Sequence, residues 1–524
     1  MKKIYLAAFL LAATMPAVAQ DTYESARLLG SDLNGTARYV GMGGAMDALG
    51  ADISTMSSNP AGIGLFRHST VSASMGIVSQ ADASKFDNLG KTNVSFDQIG
   101  FVYSTRLDYD SYINVGFNYH KSRNFDQILS AASSLSGCSQ NGLSYEKALR
   151  GSVARGGYSL DFNKDGDAIG WENESSDWRA QTFSQADYLN ANVVMLDPDD
   201  ENFYYNDASS YSFDRAHRGW IANYDFNLSG NVNDRFYWGL GVGIKNVRYK
   251  GYSEYVEQLV DNAGACGSVA YADERKIEGN GLELTAGIIV RPIEESPFRF
   301  GLSVATPTWY NLTSKNDTYM LNNTPYGAWD DGQTSESYDF HYYTPWRFGV
   351  SLGHTLGTMV ALGAGYEYSD YGASQNRIID GYDYYDNESS RKDQEMKFNT
   401  ERSLKGVHTL KAGVEIKPSP VVALRLGYNY VTAGYEKNGV RDMTLNSPGV
   451  MYSSTTDYTN WKDTHRLTCG LGFKAGSMNI DLAYQYSATN GGFHPFQPYA
   501  GGNSGVTDVS NKRHQLLMTL GYTF

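Results

Sequence analysis

The chain has 524 residues with 57 acidic and 43 basic side chains, a formal net charge of −14. That balance argues against a nucleic-acid partner, which selects a basic surface. Its 55 glycines and 40 tyrosines exceed ordinary usage, about 7% for glycine, while mean hydropathy lies below zero and no later stretch approaches the roughly 20 apolar residues of a transmembrane helix. A membrane role therefore has to come from strands, whose lipid-facing and lumen-facing rows cancel in the average.

Residues 1–19 read as a secretory signal peptide. Lys2 and Lys3 precede an apolar run from Ile4 to Ala13, and Ala17-Val18-Ala19 supplies a small-residue cleavage site before Gln20. No cysteine follows the cut, so a lipoprotein anchor is not expected. Residues 20–69 lack strand alternation and are too many for a linker in a compact barrel. They are rich in Gly and Ala, with helical patches at Ala45 to Leu49 and Ile53 to Met56 and a breaker at Asn59-Pro60. Such a segment can pack closely against a barrel wall, and it reads as a hatch inside the lumen.

Residues 70–524 read as a transmembrane antiparallel β-barrel of about 14 strands. Apolar residues alternate with small or polar ones in rows such as Phe236/Trp238/Leu240/Val242/Ile244, Val360/Leu362/Ala364/Tyr366/Tyr368 and Val422/Leu424/Leu426/Tyr428/Tyr430. Short turns after Gly230, Arg291, Gly353, Lys417 and Ala475 alternate with long connections at Lys121 to Arg215, Lys250 to Gly279, Pro307 to Phe340, Tyr371 to Ser403, Gly434 to Asp463 and Asn490 to Asn511. That alternation assigns short turns to the periplasm and long loops to the outside of a Gram-negative cell.

The small-residue rows carry charges that would face the lumen. Among them, Lys245, Arg299, Arg347, Lys411 and Arg425 are candidate receptors for a ligand carboxylate, or members of an ion-pair network that stiffens the wall; both readings stand. Asp161, Asn163, Asp165 and Glu172, with Gly166, fit the spacing of a calcium loop, so a structural calcium is set against a plain acidic turn. No other cofactor is required. Cys138 and Cys266 fall in long connections and are candidates for a disulfide, whereas Cys469 sits on an apolar row. His120, His217, His341, His354, His465, His494 and His514 are scattered. They keep a haemin-binding receptor as an alternative function, beside a non-transporting adhesin or structural barrel. No constellation supports an enzyme.

The last eleven residues, HQLLMTLGYTF, place Leu516, Met518, Leu520, Tyr522 and Phe524 on one face. A closing strand with a terminal aromatic suits lipid contact and recognition by the barrel assembly machinery in the outer membrane.

The N-terminal segment also carries a family pattern. Gly35-x-Ala37-Arg38-Tyr39-x-Gly41-x-Gly43-Gly44-Ala45, then Asp52, then Asn59-Pro60-Ala61-Gly62 running into the first strand, resembles the outer-membrane long-chain fatty acid and hydrocarbon transporters of the FadL/TodX type. The resemblance implies a monomer with Asn59, Pro60, Ala61 and Gly62 as a hatch motif. It implies passive uptake of hydrophobic small molecules such as long-chain fatty acids, by luminal binding, hatch movement and lateral release beside a kinked third strand. That strand would be Ser111 to His120, with Gly116 as its local weak point.

Overall fold

The computed structural model describes residues 20–149, 159–162, 168–171, 184–197, 199, 202–382, 388–498 and 501–524; the signal-peptide reading lies outside them. Fourteen antiparallel strands close into one barrel. They are β1 (Thr70–Gln80), β2 (Thr92–Asp108), β3 (Ser111–Asn124, resuming at Gln127–Ser134), β4 (Asp207–Val232), β5 (Phe236–Asp261) and β6 (Gly264–Val290). Three interrupted strands follow: β7 (Arg299–Ala305 and Trp309–Asn323), β8 (Asp331–Tyr343 and Arg347–Leu356) and β9 (Val360–Asp370 and Gln375–Tyr382). The rest are β10 (Gly406–Ser419), β11 (Val422–Val431), β12 (Tyr458–Ala475), β13 (Met478–His494) and β14 (Thr507–Thr523). Closure is made by β1 against β14, in register from Thr70↔Thr523 to Gln80↔Arg513.

Sequence alternation becomes wall geometry in the terminal strand. Leu516, Met518, Leu520 and Tyr522 are exposed on the outside, while Gln515, Leu517 and Thr519 are buried on the inside. The exposed apolar rows of neighbouring strands continue this face around the barrel, as lipid contact requires.

The long loops read from sequence are corrected by the strands themselves. β4, β5 and β6 have 26, 26 and 27 residues, far more than the roughly 9–11 that cross a bilayer. The stretch Lys250 to Gly279 is therefore mostly paired hairpin, and so is Pro307 to Phe340, where Trp309 to Leu321 runs against Asp331 to Tyr343. Near Lys245 the two faces of β5 exchange character. Below it Leu240, Val242 and Ile244 are exposed; above it Arg248 and Glu254 point out while Val247, Tyr249, Tyr255 and Leu259 are buried inside. An apolar-inside pattern is that of a water-soluble wall, so the barrel stands well clear of the membrane at its loop end.

Inside that raised wall lies an apolar core of Leu129, Phe213, Tyr255, Phe493 and Phe496 around the inserted segment 184–196. Cys138 belongs to this core with Cys266 against it, and both are free thiols, so the candidate disulfide is not formed.

Candidate functional site

Residues 20–66 lie against the inner wall as a nearly continuous buried track. It comprises two short helices, α1 (Thr22–Ala26) and α2 (Ala37–Gly41), and two 3-10 turns, Ile53–Ser57 and Pro60–Leu65. Local caps explain the breaks: Asp21, Thr36, Asp52 and Asn59 each accept a backbone N–H at the start of one element. Ala45 to Leu49, read as helical, is turn.

Glycines in the wall make the seat. A Cβ at Gly239 would strike the Pro60 carbonyl, at Gly287 the Asn59 side chain, at Gly363 the Ala45 carbonyl and at Gly413 the Met42 carbonyl. The small inward rows are thus docking slots for backbone. Gly116, expected to weaken the third strand, instead leaves room for the Met56 methyl group. The irregularity of β3 lies higher, at a register shift between Lys121 and Arg123 and a break before Gln127.

Charges lock the same seat. Arg299 donates to the Leu49 carbonyl at 3.1 Å, Arg347 to the Ser57 carbonyl at 3.0 Å and Lys411 to Asp47 at 3.1 Å. Arg425 bridges Glu415 at 2.7 Å and Asp481 at 2.5 Å, and Glu415 also receives Arg38 of α2 at 3.0 Å. Lys245 is held by Glu283 at 2.8 Å and Thr308 at 2.9 Å. All five cations named from sequence therefore have protein partners, and three touch the N-terminal segment directly. Lys245, Arg347 and Lys411 also line a cavity; Arg299 and Arg425 do not.

That cavity, of about 370 Å³, lies between residues 23–39 and the wall. Its cationic side is built by Arg27, Arg123, Arg215, Arg466 and Arg513, none of which sequence reasoning selected, with His217 beside them; Leu28, Phe125, Ile221 and Tyr310 provide apolar lining. Asp32 lies 3.8 Å from Arg466, and Asp457 accepts Arg215 at 2.7 Å. The Nε of Arg215 and Nε2 of His217 are buried without a protein partner. Burial and the nearby Arg215 and Arg27 hold His217 neutral, well below the ordinary histidine range. Burial acts to raise Asp457, but Arg215, Arg441 and Arg27 outweigh it and hold the carboxyl below its usual value.

Next to the cavity the wall ladder is incomplete. β2 pairs with β1 up to Thr92, yet with β3 only as far as Gln98↔His120. Beyond that rung β3 pairs with β4 alone. Side chains bridge the gap: Asn34 donates to Asp97 and to the Lys121 carbonyl, both at 3.0 Å, and Lys121 donates to Ser95 at 3.0 Å. His120, Ser122 and Arg123 at this gap line the cavity.

The track is tied upward as well. Glu24 pairs with Arg275 and Asp21 accepts Arg441 at 2.8 Å. Of the histidines kept for haem, only His120 and His217 line the cavity. His341 contacts Glu388, His494 stacks on Tyr458, His354 is near Phe298, and His465 and His514 contact outer tyrosines. Asp161 stands in a short hairpin opposite Ile169, while Asn163, Asp165 and Glu172 lie outside the described residues.

No protein-family model and no curated protein matches the chain. Among solved structures, a Pseudomonas aeruginosa FadL homologue is 11% identical, with 98% of this chain and 100% of that one covered at a TM-score of 0.50. A deltaS2 mutant of the TodX monoaromatic hydrocarbon channel is also 11% identical, covering 94% and 100% at 0.51. At these identities the likeness is one of fold, so the resemblance carried by the Asn59-Pro60-Ala61 segment extends to a barrel architecture shared over nearly the whole chain.

Proposed function

We propose that this protein is an outer-membrane channel for passive uptake of hydrophobic small molecules, with residues 20–69 as its hatch. The observation that carries the reading is the meeting of three features: a cavity, an incomplete β2–β3 ladder beside it, and a bridge across that gap made partly by Asn34 of the hatch. A ligand held in the cavity would leave sideways into the membrane once Asn34 withdraws. Downhill movement needs no energy source, since each methylene transferred from water gains about 0.8 kcal/mol.

The two-sided lining favours an amphiphile such as a long-chain acid over a plain hydrocarbon. Its polar end would face the arginine group and its chain Leu28, Phe125 and Ile221. The reading places the protein as a monomer in the outer membrane of a Gram-negative cell, inserted by the barrel assembly machinery, with its raised wall outside. The haemin alternative would rest on His120 and His217 alone, the two candidate histidines that line the cavity.

The test is uptake of a radiolabelled long-chain acid by cells carrying Ser95→Cys/Lys121→Cys, in a background without the native cysteines. A short cleavable bis-thiol cross-linker across the pair should stop uptake, and cleaving it should restore it. Uptake indifferent to the cross-link would refute lateral release, and an unaltered planar-bilayer conductance after deletion of Leu33 to Gly64 would refute the hatch.

A further inference from the structure

Three near-identical clusters recur on the lipid-facing side of the barrel, at the upper end of its apolar rows. In β9/β10, His408 lies opposite Tyr368 and contacts Tyr366; in β11/β12, His465 lies opposite Tyr430 and contacts Tyr428; in β13/β14, His514 lies opposite Tyr486 and contacts Tyr484. The Tyr Oη to His Nδ1 distances are 2.7, 2.8 and 2.7 Å. The opposing rings are 5.1, 5.0 and 5.1 Å apart. A threefold repeat this close, on alternate strand pairs, is a built feature of the wall.

Its height is set by what lies beneath. Two residues below each histidine begin the exposed apolar rows headed by Leu410, Leu467 and Leu516. Acyl chains cover those rows, so the headgroups of the same lipids stand at the histidines. An aromatic belt alone would be served by Tyr or Trp; histidine adds a directed donor. The phenol is the stronger donor of each pair, so Tyr O–H donates to Nδ1 and fixes the tautomer with the proton on Nε2. Protonation of the ring would leave that N–H in place. No Nε2 of the three has a protein partner among the described residues.

We infer that the three Tyr–His–Tyr clusters are a binding belt for the phosphate headgroup of a lipid in the leaflet at the loop end of the barrel. A phosphomonoester offers anionic oxygens at headgroup height, and three outward N–H donors spread over six adjacent strands match several lipids in a ring, not one soluble anion. The inference stands on wall geometry and is independent of what passes through the lumen.

The experiment uses the full chain purified in detergent and titrated with bisphosphorylated lipid A or its dephosphorylated form, with bound lipid counted by native mass spectrometry. Wild type should prefer the phosphorylated probe about tenfold. His408→Phe/His465→Phe/His514→Phe, which keeps ring area, should lose that preference while still binding both lipids. Because the triple variant could assemble poorly, His465→Phe alone should lower the bound phosphorylated lipid by one near saturation. Equal binding of the two probes by wild type, or undiminished preference in a correctly folded triple variant, would overturn the assignment. Inorganic phosphate competing as well as lipid A would overturn it too.

Discussion

Lys411→Met isolates a single fastening of the proposed hatch. Asp47 and Lys411 are both largely buried, and among the described residues the Asp47 carboxylate has, besides Lys411, a hydrogen bond from the Ser58 hydroxyl at 2.5 Å. Removing one partner of a buried ion pair costs about 3–5 kcal/mol, because the other charge stays behind without compensation. The cavity beside Lys411 admits some water, so the lower end, about 3 kcal/mol, applies. That raises the weight of a detached hatch by about 150-fold, at roughly 1.4 kcal/mol per decade. Single-channel recording in planar bilayers reads this as more frequent openings. Asp47→Asn in the same chain removes the stranded charge, so the double variant should open less often than Lys411→Met alone. Glu367, 3.7 Å from Lys411 and more exposed, serves as control: Glu367→Gln should open near the wild-type rate. A double variant as leaky as the single, or a single no leakier than wild type, would refute the view that this pair holds the hatch shut.

Gly363→Leu drives a side chain into the Ala45 carbonyl; overpacking of about 1–3 kcal/mol should raise opening frequency roughly tenfold, and an unchanged record would mean the seat yields elsewhere. Asn34→Leu withdraws two hydrogen bonds from the β2–β3 gap, each worth about 1 kcal/mol, so release of a preloaded fluorescent acid into nanodisc lipid should quicken about thirtyfold; equal rates would place the exit elsewhere. Glu257, outside the membrane, accepts the Gln140 backbone N–H at 3.0 Å at the start of α3 (Gln140–Leu149), and burial raises its carboxyl to about 7. A raised carboxyl stabilises the fold below its unfolded value near 4.5, and that stability is lost as pH rises through about 7, by about 3 kcal/mol in all. Amide exchange in α3 should therefore be slower at pH 5 than predicted from pH 8 after correction for intrinsic rates, and Glu257→Gln should remove the difference.

What was legible in the chain follows from where one physical rule governs a segment. Strands between lipid and lumen must alternate, so Leu516 to Tyr522 announced their face, as did Leu240 to Ile244. Above the membrane the rule changes. Arg248 and Glu254 face water while Val247, Tyr249 and Tyr255 face the interior, and glycine breaks the pattern at Gly251, so Lys250 to Gly279 read as loop although it continues the ladder. The third strand misled for a different reason: Gly116 looks like a weakness in one dimension and is a slot for Met56 in three, whereas the actual shift at Lys121 to Arg123 has no proline or glycine to mark it.

The lumen charges show most clearly why a site hides from sequence. Lys245, Arg299, Arg347, Lys411 and Arg425 could be placed on inward rows by counting residues, but their partners depend on the register of a separate segment against the wall. That segment brings its own carboxylates, Asp47 among them, and its own carbonyls, at Leu49 and Ser57. Once it is seated, Arg299, Arg347 and Lys411 are occupied with fastening, while Lys245 and Arg425 are held by carboxylates of the wall itself. Charge remains available higher up, where Arg123, Arg466 and Arg513 share one cavity with Asp32 and the Arg215 Nε is left unmatched. Under the proposed function, the cations that fasten residues 20–66 and those that would face a ligand are largely different side chains, although Arg347 and Lys411 reach the cavity as well. The glycine slots for backbone lie on β5, β6, β9 and β10, whereas the cavity arginines stand on β3, β4, β12 and β14 and on the N-terminal segment, so the two tasks fall to different parts of the wall.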